Sequence, residues 1–353
     1  TILAGELTGA FLLTALDDPM DEVNEPAIIE IDTVENGLES GIQKKIITIV
    51  DNDEPPTVVL TINKQTINEK GIGNSASVSA TLSTISSKDV TVTLTKGGTA
   101  QETADYTLTG TILIPAGEAF AQVTLTSVED AIDELDETVV VDIATVVNGT
   151  ENGIQQASTT ILDGESAPTV TLEVGVGNNG SINETGSGNS SLVTAKLSTI
   201  SGLQVTVTLV KSGSATVTND YTLNNTIIIP AGVISASITL LAVNDTLDEV
   251  EEDVIINIDV VTNAIEVGQQ QQTVKIINDD LPPTVRLSVG NANIGENPAT
   301  TTSASVTATL STLSAKDVTV TLSKFGTATE TLDYVFSSST IVIPAGSLFG
   351  SVT

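Results

Sequence analysis

The sequence predicts an all-β chain arranged as an array of tandem β-sandwiches. Three observations predict it. Aliphatic residues alternate with Thr and Ser in short runs, those runs are bounded by Gly, Asn, Asp and Pro, and the whole pattern restarts about every 114 residues. β-branched side chains suit a pleated, half-buried surface and disfavour helix. A period this long marks whole domains rather than the turns of a solenoid.

Two markers fix the period. Asp105-Tyr106, Asp220-Tyr221 and Asp333-Tyr334 form the first; Ile114-Pro115-Ala116-Gly117, Ile229-Pro230-Ala231-Gly232 and Ile343-Pro344-Ala345-Gly346 form the second, at the same offset. Leu3-Ala4-Gly5-Glu6 aligns with Pro115-Ala116-Gly117-Glu118, and residues 350–353 align with 121–124. The expected organisation is the C-terminal half of a module over 1–55, complete modules over 56–167 and 168–282, and the N-terminal part of another over 283–353. An array of this kind reads as a piece of a longer one. Its lack of an initiator Met, signal peptide or membrane segment therefore says nothing of the parent, and no direct membrane insertion is expected of this stretch.

In the first complete module, the run Val90-Thr91-Val92-Thr93-Leu94-Thr95 places Val90, Val92 and Leu94 on one face and the threonines on the other. That is a strand with one dry face. Comparable runs cover 57–62, 76–83, 111–114, 119–126, 138–145 and 157–162, giving seven strands in about 110 residues. Seven short strands with turn signals between them indicate a sandwich. No segment sustains a helical apolar stripe. The junctions Asp51-Asn52-Asp53-Glu54-Pro55-Pro56, Asp163-Gly164-Glu165-Ser166-Ala167-Pro168 and Asn278-Asp279-Asp280-Leu281-Pro282-Pro283 are too short for a flexible tether. Proline restricts the direction of exit, so an extended, semi-rigid array is expected.

Composition narrows the function. The chain has 12 Lys and Arg against 45 Asp and Glu, a net charge of −33, which repels nucleic acid and anionic membranes and favours multivalent cations. It has no Cys, His or Trp and only 2% aromatic residues, so the usual nucleophiles, general bases and transition-metal ligands are missing. No enzyme is expected. Paired carboxylates might suggest a glycosidase, but sugar-stacking aromatics are nearly absent and the acids repeat in every module. Without cysteine there is no disulfide framework, which fits the cytosol and equally fits bacterial surface proteins held by metal. Apolar residues make up 40%, enough for a packed core in each module.

Carboxylates gather at four places per module. In the first complete module these are Glu69, Asp105, the run from Glu129 to Glu137, and Asp163 with Glu165; in the second they are Glu184, Asp220, Asp245 with Glu249 and Glu252, and Asp279 with Asp280. All lie at strand ends or in loops, which in a sandwich collect at the poles. Two carboxylates 4 Å apart repel by about 4 kcal/mol at an effective dielectric near 20, so a converged cluster needs cations. Scattered acids ordinarily form a solvated surface; repetition at four loop positions beside a joint favours metal. An all-oxygen set points to Ca²⁺, although the spacing is not that of an EF-hand.

At these residues the chain resembles a known family. Gly98-Thr99-Ala100 leading to Asp105-Tyr106, the Ile-Pro-Ala-Gly turn, Glu129-Asp130 leading to Glu134 and Asp136-Glu137, and the closing Ile161-Leu162-Asp163 are similar to Calx-beta domains. The resemblance implies a seven-stranded immunoglobulin-like sandwich that binds several Ca²⁺ ions at the pole where the next module attaches. It implies ligands Glu69, Asp105, Glu129, Asp130, Glu134, Glu137 and Asp163 in the first complete module, and Glu184, Asp220, Asp245, Glu249, Glu252, Asp279 and Asp280 in the second. The leading segment keeps Asp17, Asp18, Glu22, Glu25, Asp51 and Asp53, and the trailing one Glu296 and Asp333. Family exits commonly carry three consecutive Asp, whereas here Asn52, Gly164 and Asn278 interrupt them, and Asn244 replaces Glu129. Fewer charges imply fewer ions or weaker binding.

Cysteine-free, acidic, Thr- and Val-rich repeats also resemble the giant surface adhesins of gliding Bacteroidetes. That resemblance implies an extracellular, cell-surface stalk whose partners are calcium ions, the adjacent modules and a receptor the sequence does not identify. Two other readings stand beside it: calcium-sensing tandem domains of a sodium/calcium exchanger, and spacer modules of an extracellular enzyme. Flanking sequence would separate them. Tyr106, Tyr221 and Tyr334 are read as core residues and Pro115, Pro230 and Pro344 as turn formers. The Asn-x-Thr matches at Asn148, Asn183 and Asn224 are read as chance in an Asn- and Thr-rich chain.

Overall fold

The computed structural model describes residues 1–175, 180–300 and 302–353. Every regular element among them is a strand, so no helix is long and apolar enough to cross a membrane. The chain divides into two compact units, Thr1–Ser166 and Ala167–Thr353.

The first unit opens with a hairpin of β1 (Glu25–Glu30) and β2 (Lys44–Ile49). Its apolar residues stay exposed, Ile28 at 52% and Ile46 at 62%, because a single hairpin has no second sheet to close against. The first complete sandwich follows: β3 (Thr57–Ile62), β4 (Thr66–Asn68), β5 (Ser75–Leu82), β6 (Val90–Gly98), β7 (Tyr106–Thr107), β8 (Thr111–Ile114), β9 (Phe120–Ser127), β10 (Glu137–Val147), β11 (Thr150–Glu151) and β12 (Gln156–Leu162). They form two five-stranded sheets, ordered β4-β12-β10-β6-β8 and β11-β3-β5-β9-β7.

The second unit repeats this plan with β13 (Thr169–Gly175), β14 (Ser181–Asn183), β15 (Ser190–Leu197), β16 (Val205–Gly213), β17 (Tyr221–Thr222), β18 (Thr226–Ile229), β19 (Ser235–Ala242), β20 (Glu252–Thr262), β21 (Ile265–Glu266) and β22 (Gln271–Ile277). Five further strands, β23 (Val285–Val289), β24 (Val306–Leu310), β25 (Val318–Thr321), β26 (Thr340–Ile343) and β27 (Phe349–Val352), surround a small core of Ala308, Leu310, Ile341 and Ile343. The chain is thus all-β and built of tandem sandwiches.

Among the described residues, each complete sandwich has ten strands where periodicity predicts seven. The seven predicted runs coincide with β3, β5, β6, β8, β9, β10 and β12. The additional β4, β7 and β11 are two or three residues long, too short to show alternation. Two of them run parallel to their neighbours, β4 beside β12 and β11 beside β3. The opening segment therefore contributes to both sheets, β3 in one and β4 in the other.

The alternating face is the core. Val90 and Val92 are fully buried and Leu94 nearly so, packed with Val58, Val78, Ile112, Leu125, Val139 and Val141. Tyr106 and Tyr221 are buried in their cores, while Tyr334, in the trailing segment, is only half-buried.

At the pole end of β6, Gly98 has φ +108, and a Cβ there would lie 2.1 Å from the Thr138 carbonyl oxygen. Gly213 repeats this against the Asp253 carbonyl at 2.0 Å. Gly98→Ala is expected to destabilise the module by about 1–3 kcal/mol through overpacking, with positive-φ strain added. The adjacent Gly97 meets no atom within 4 Å and has ordinary φ. Gly97→Ala should therefore be close to neutral when both variants are compared with the parent chain by urea titration.

Candidate metal centre

The pole of each complete sandwich is assembled by strand direction. Because β4 and β12 are parallel and in register at Asn68 and Leu162, both end at the same edge. The residues that follow them, Glu69 and Asp163, emerge side by side, and the Glu69 N–H donates to the Leu162 carbonyl at 3.0 Å. β10 begins at this edge with Glu137, opposite Ile161. β6 ends there at Gly98, opposite Val139. The loop from β6 to β7 then carries Asp105 back to the same end.

That loop is held tightly. The Asp105 carboxylate accepts the Gln101 N–H at 2.5 Å, and the Thr103 N–H donates to the Tyr106 carbonyl at 2.8 Å. Thr103 sits at φ 78, Thr218 at φ 77 and Thr331 at φ 75. A β-branched residue with positive φ is strained, and such strain persists where the surroundings impose it. Here it accompanies the carboxylates of Asp105, Asp220 and Asp333.

Side chains then bind loop to loop. Glu69 Oε1 accepts the Asp130 N–H at 3.0 Å, Asp163 Oδ1 accepts the Glu134 N–H at 3.3 Å, and Asp136 Oδ1 accepts the Asp163 N–H at 3.1 Å. In the second complete sandwich, Glu184 Oε1 accepts the Asp245 N–H at 3.2 Å and Asn278 Oδ1 accepts the Glu249 N–H at 3.4 Å. Asn278 therefore keeps the contact that Asp163 makes, with one charge fewer.

Two carboxylate trios result in each complete module. Asp105, Glu134 and Glu137 form an inner trio, matched by Asp220, Glu249 and Glu252; Glu69, Asp163 and Glu165 form an outer one, for which the second module uses Glu184, Asp280 and, at the position of Asp130, Asp245. Within each trio one oxygen per residue lies within 4.8 Å of the others. Oxygens that each stand 2.3–2.6 Å from one Ca²⁺ ion are separated by no more than about 5 Å, so the trios have the spacing of a calcium shell. Glu69, Asp105, Glu134, Glu137 and Asp163 line one small concavity and Glu184, Asp220, Glu249, Glu252 and Asn278 the other, each partly open to solvent. Glu165 Oε2 and Asp280 Oδ2 are buried without a hydrogen-bond partner, as expected of oxygens arranged for a cation.

Not every residue in the ligand set joins a trio. The Asp130 carboxylate acts on Glu134 by charge while its N–H binds Glu69; Asp279 acts by charge on Glu184 and Asp280, and Glu129 on Lys70. Asp17, Asp18, Glu22, Glu25, Asp51 and Asp53 line one concavity of about 40 Å³ in the leading segment. Among the described residues, no three of them approach as closely as the trios, and counterparts of Glu69 and Asp105 are absent from that segment's sequence. Glu296 and Asp333 join no cluster among the described residues; the Asp333 carboxylate accepts the Thr329 N–H at 2.6 Å. Glu165 is the residue that the ligand set omitted, although its place at the module exit is visible in sequence.

Lys70 distinguishes the first complete module. Its ammonium is hydrogen-bonded to Glu165, whose carboxyl it holds below the ordinary range, and Glu165 in turn raises Lys70. The outer trio of that module thus already has a cation. Thr185 stands at the equivalent place in the second, so no lysine follows Glu184.

Several other carboxylates are pushed the other way. Burial, the Asp105 hydrogen bond and the Asp105 charge raise Glu137 to about 7; burial and then Asp220 raise Glu252 to about 7. Burial is also the leading cause for Glu69, Glu134, Asp163, Glu184, Glu249 and Asp280, all raised, and for Glu22 and Asp53 in the leading segment.

No family model matches the sequence, and no curated protein matches it. Similar solved structures include CBD12 from CALX1.2, at 14% identity and TM-score 0.28, over 62% of this chain and 99% of that one. The apo-form Calx CBD1 domain aligns at 16% identity and TM-score 0.27, over 33% and 100%. A two-domain protein of unknown function from Bacteroides fragilis aligns at 11% identity and TM-score 0.24, over 62% and 93%. At these scores no property of those proteins is transferred to this chain.

The raised carboxyls set a direction for pH dependence in the absence of metal. A folded-state pKa near 7 against an ordinary 4.5 means that the folded chain retains protons the unfolded chain releases. This contribution is fully present below about pH 4.5 and is lost as pH rises through 7. In chelator, the urea midpoint should fall between pH 5 and pH 8, and Glu137→Gln with Glu252→Gln should flatten the decline.

Proposed function

We propose that this chain is a structural calcium-binding region of a large cell-surface adhesin, a stalk in which ions at the module poles stiffen successive sandwiches. The observation that supports it is the recurrence of two carboxylate trios at the same structural place in two independent modules. Hard oxygen donors with neither His nor Cys favour Ca²⁺ over Zn²⁺, and six carboxylates at one pole favour it over Mg²⁺, which binds through few carboxylates and keeps its water. Bound ions would supply positive charge to loops that otherwise repel one another, and the residues of this chain would hold and orient them. The Gln101 and Thr103 backbone contacts place Asp105, and the strand starts and ends place Glu137, Glu69 and Asp163.

The reading is structural rather than catalytic. The sequence contains no His, Cys or Trp, and each carboxylate group repeats with the module. An extracellular setting accords with the acidic, cysteine-free repeats and would call for an affinity in the range of extracellular calcium modules, about 10⁻⁴–10⁻³ M.

Calorimetric titration of the whole chain with Ca²⁺, with small-angle scattering on the same samples, tests this. Binding at micromolar to millimolar Ca²⁺ with reduced flexibility is expected; no heat and an unchanged profile would reduce the trios to solvated surface. Glu137→Gln should weaken the inner site of its module by on the order of tenfold, since affinity follows ligand charge. Lys70→Met should free Glu165 and increase the calcium bound by the first complete module. The same change cannot be made in the second, where Thr185 already occupies the position. Equal stoichiometry in Lys70→Met and the parent chain would show that the lysine does not compete with metal.

A further inference from the structure

Two joints, one within each compact unit, share a contact that the metal poles do not explain. At the first, Asp21 of the leading segment is 2% exposed. Its Oδ1 accepts Lys88 Nζ at 2.7 Å, its Oδ2 accepts Ser86 Oγ at 3.1 Å, and its backbone carbonyl accepts the Ser87 N–H at 3.0 Å. At the second, Asp248 is 5% exposed. Its Oδ1 accepts Lys316 Nζ at 2.6 Å, its Oδ2 accepts Ser314 Oγ at 3.2 Å, and its carbonyl accepts the Ala315 N–H at 3.0 Å. In both cases the aspartate belongs to one module and the Ser-x-Lys to the next.

The receiving side is built into the fold. Ser86 and Ser314 are each 1% exposed, and their hydroxyls also accept the N–H groups of Lys88 and Lys316 at 3.1 and 3.0 Å. Behind them stands the Ile-Pro-Ala-Gly turn: Gly117 donates its N–H to the Ser86 carbonyl at 2.8 Å, and Gly346 to the Ser314 carbonyl at 2.9 Å. Asp89 and Asp317, next along the chain, accept the N–H groups of Ala116 and Ala345 at 2.9 and 2.8 Å. Ser-x-Lys-Asp and Ile-Pro-Ala-Gly, separate in sequence, are one unit in space.

We infer that this unit is a socket for a single carboxylate of the preceding module, which fixes the register of the joint without a metal ion. A carboxylate removed from water is tolerated only where a cation and hydrogen-bond donors meet it. A shifted register would leave the aspartate buried without a partner, so the pair selects one arrangement. In the second complete module the equivalent positions read Ser201-Gly202-Leu203-Gln204, which keeps the serine and has no lysine side chain. Asp21 and Asp248 lie immediately before Glu22 and Glu249, so the loop that enters the socket is also the loop that lines the acidic pole.

The chain has no cysteine, so Thr239→Cys in β19 and Thr319→Cys in β25 allow one spin label on each side of the second joint. Pulsed EPR on the full chain should give one narrow distance population, both with calcium and in chelator. Lys316→Met should lose that single population in both conditions, Ser314→Ala should broaden it, and Lys316→Arg should preserve it. Circular dichroism and thermal melting of Lys316→Met should match the parent, which separates loss of register from loss of fold. An unaltered distance distribution in Lys316→Met and Ser314→Ala would overturn the socket. So would loss of the narrow population in the parent on chelation alone, which would assign the joint to metal. A null calcium titration would defeat the proposed stalk function and leave this measurement intact.

Discussion

The arrangement depends first on a parallel pairing between two short strands. β4 and β12 are far apart in sequence, yet they run in the same direction and end together. An antiparallel pairing would send their following residues to opposite poles. With it, Glu69 and Asp163 would lie across the length of the sandwich instead of side by side. The second sandwich repeats this with β14 and β22, whose register Asn183 to Ile277 delivers Glu184 beside Asn278. The remaining acids follow from ordinary antiparallel neighbours, because β10 and β20 begin at that pole.

Convergence creates an electrostatic burden, and the molecule shows several ways of meeting it. Where no side-chain cation is near, burial and neighbouring charge favour the protonated carboxyl, raising Glu137 and Glu252 to about 7. Where a lysine is near, it lowers its partner, as Lys70 does for Glu165. Backbone N–H groups supply a third contribution, shared among Glu69, Asp163 and their counterparts. Bound calcium would replace the protons and act more strongly than the dipoles, since a divalent ion brings the larger local charge.

The joints use the same chemistry with a different answer. Asp21 and Asp248 are more deeply buried than Glu22 and Glu249 beside them, and lysine and serine from the next module answer their charge. Register and stiffness can then have separate origins, one in a lysine socket and the other in the pole. The two are linked by a single peptide bond, from Asp21 to Glu22 and from Asp248 to Glu249.

Much of this was legible in sequence. Alternation at Val90, Val92 and Leu94 determined which face is buried, because side-chain direction in a strand has period two. Repetition marked the acids and the Asp-Tyr and Ile-Pro-Ala-Gly positions, because equivalent folds keep equivalent offsets. Sequence did not disclose β4, β7 and β11, which are too short for any period to register. It did not disclose that Lys70 answers Glu165, that Glu165 completes a trio, or that the Ile-Pro-Ala-Gly turn supports Ser86 and Ser314. Each of these joins residues distant along the chain, and only strand pairing and module packing determine which charges become neighbours.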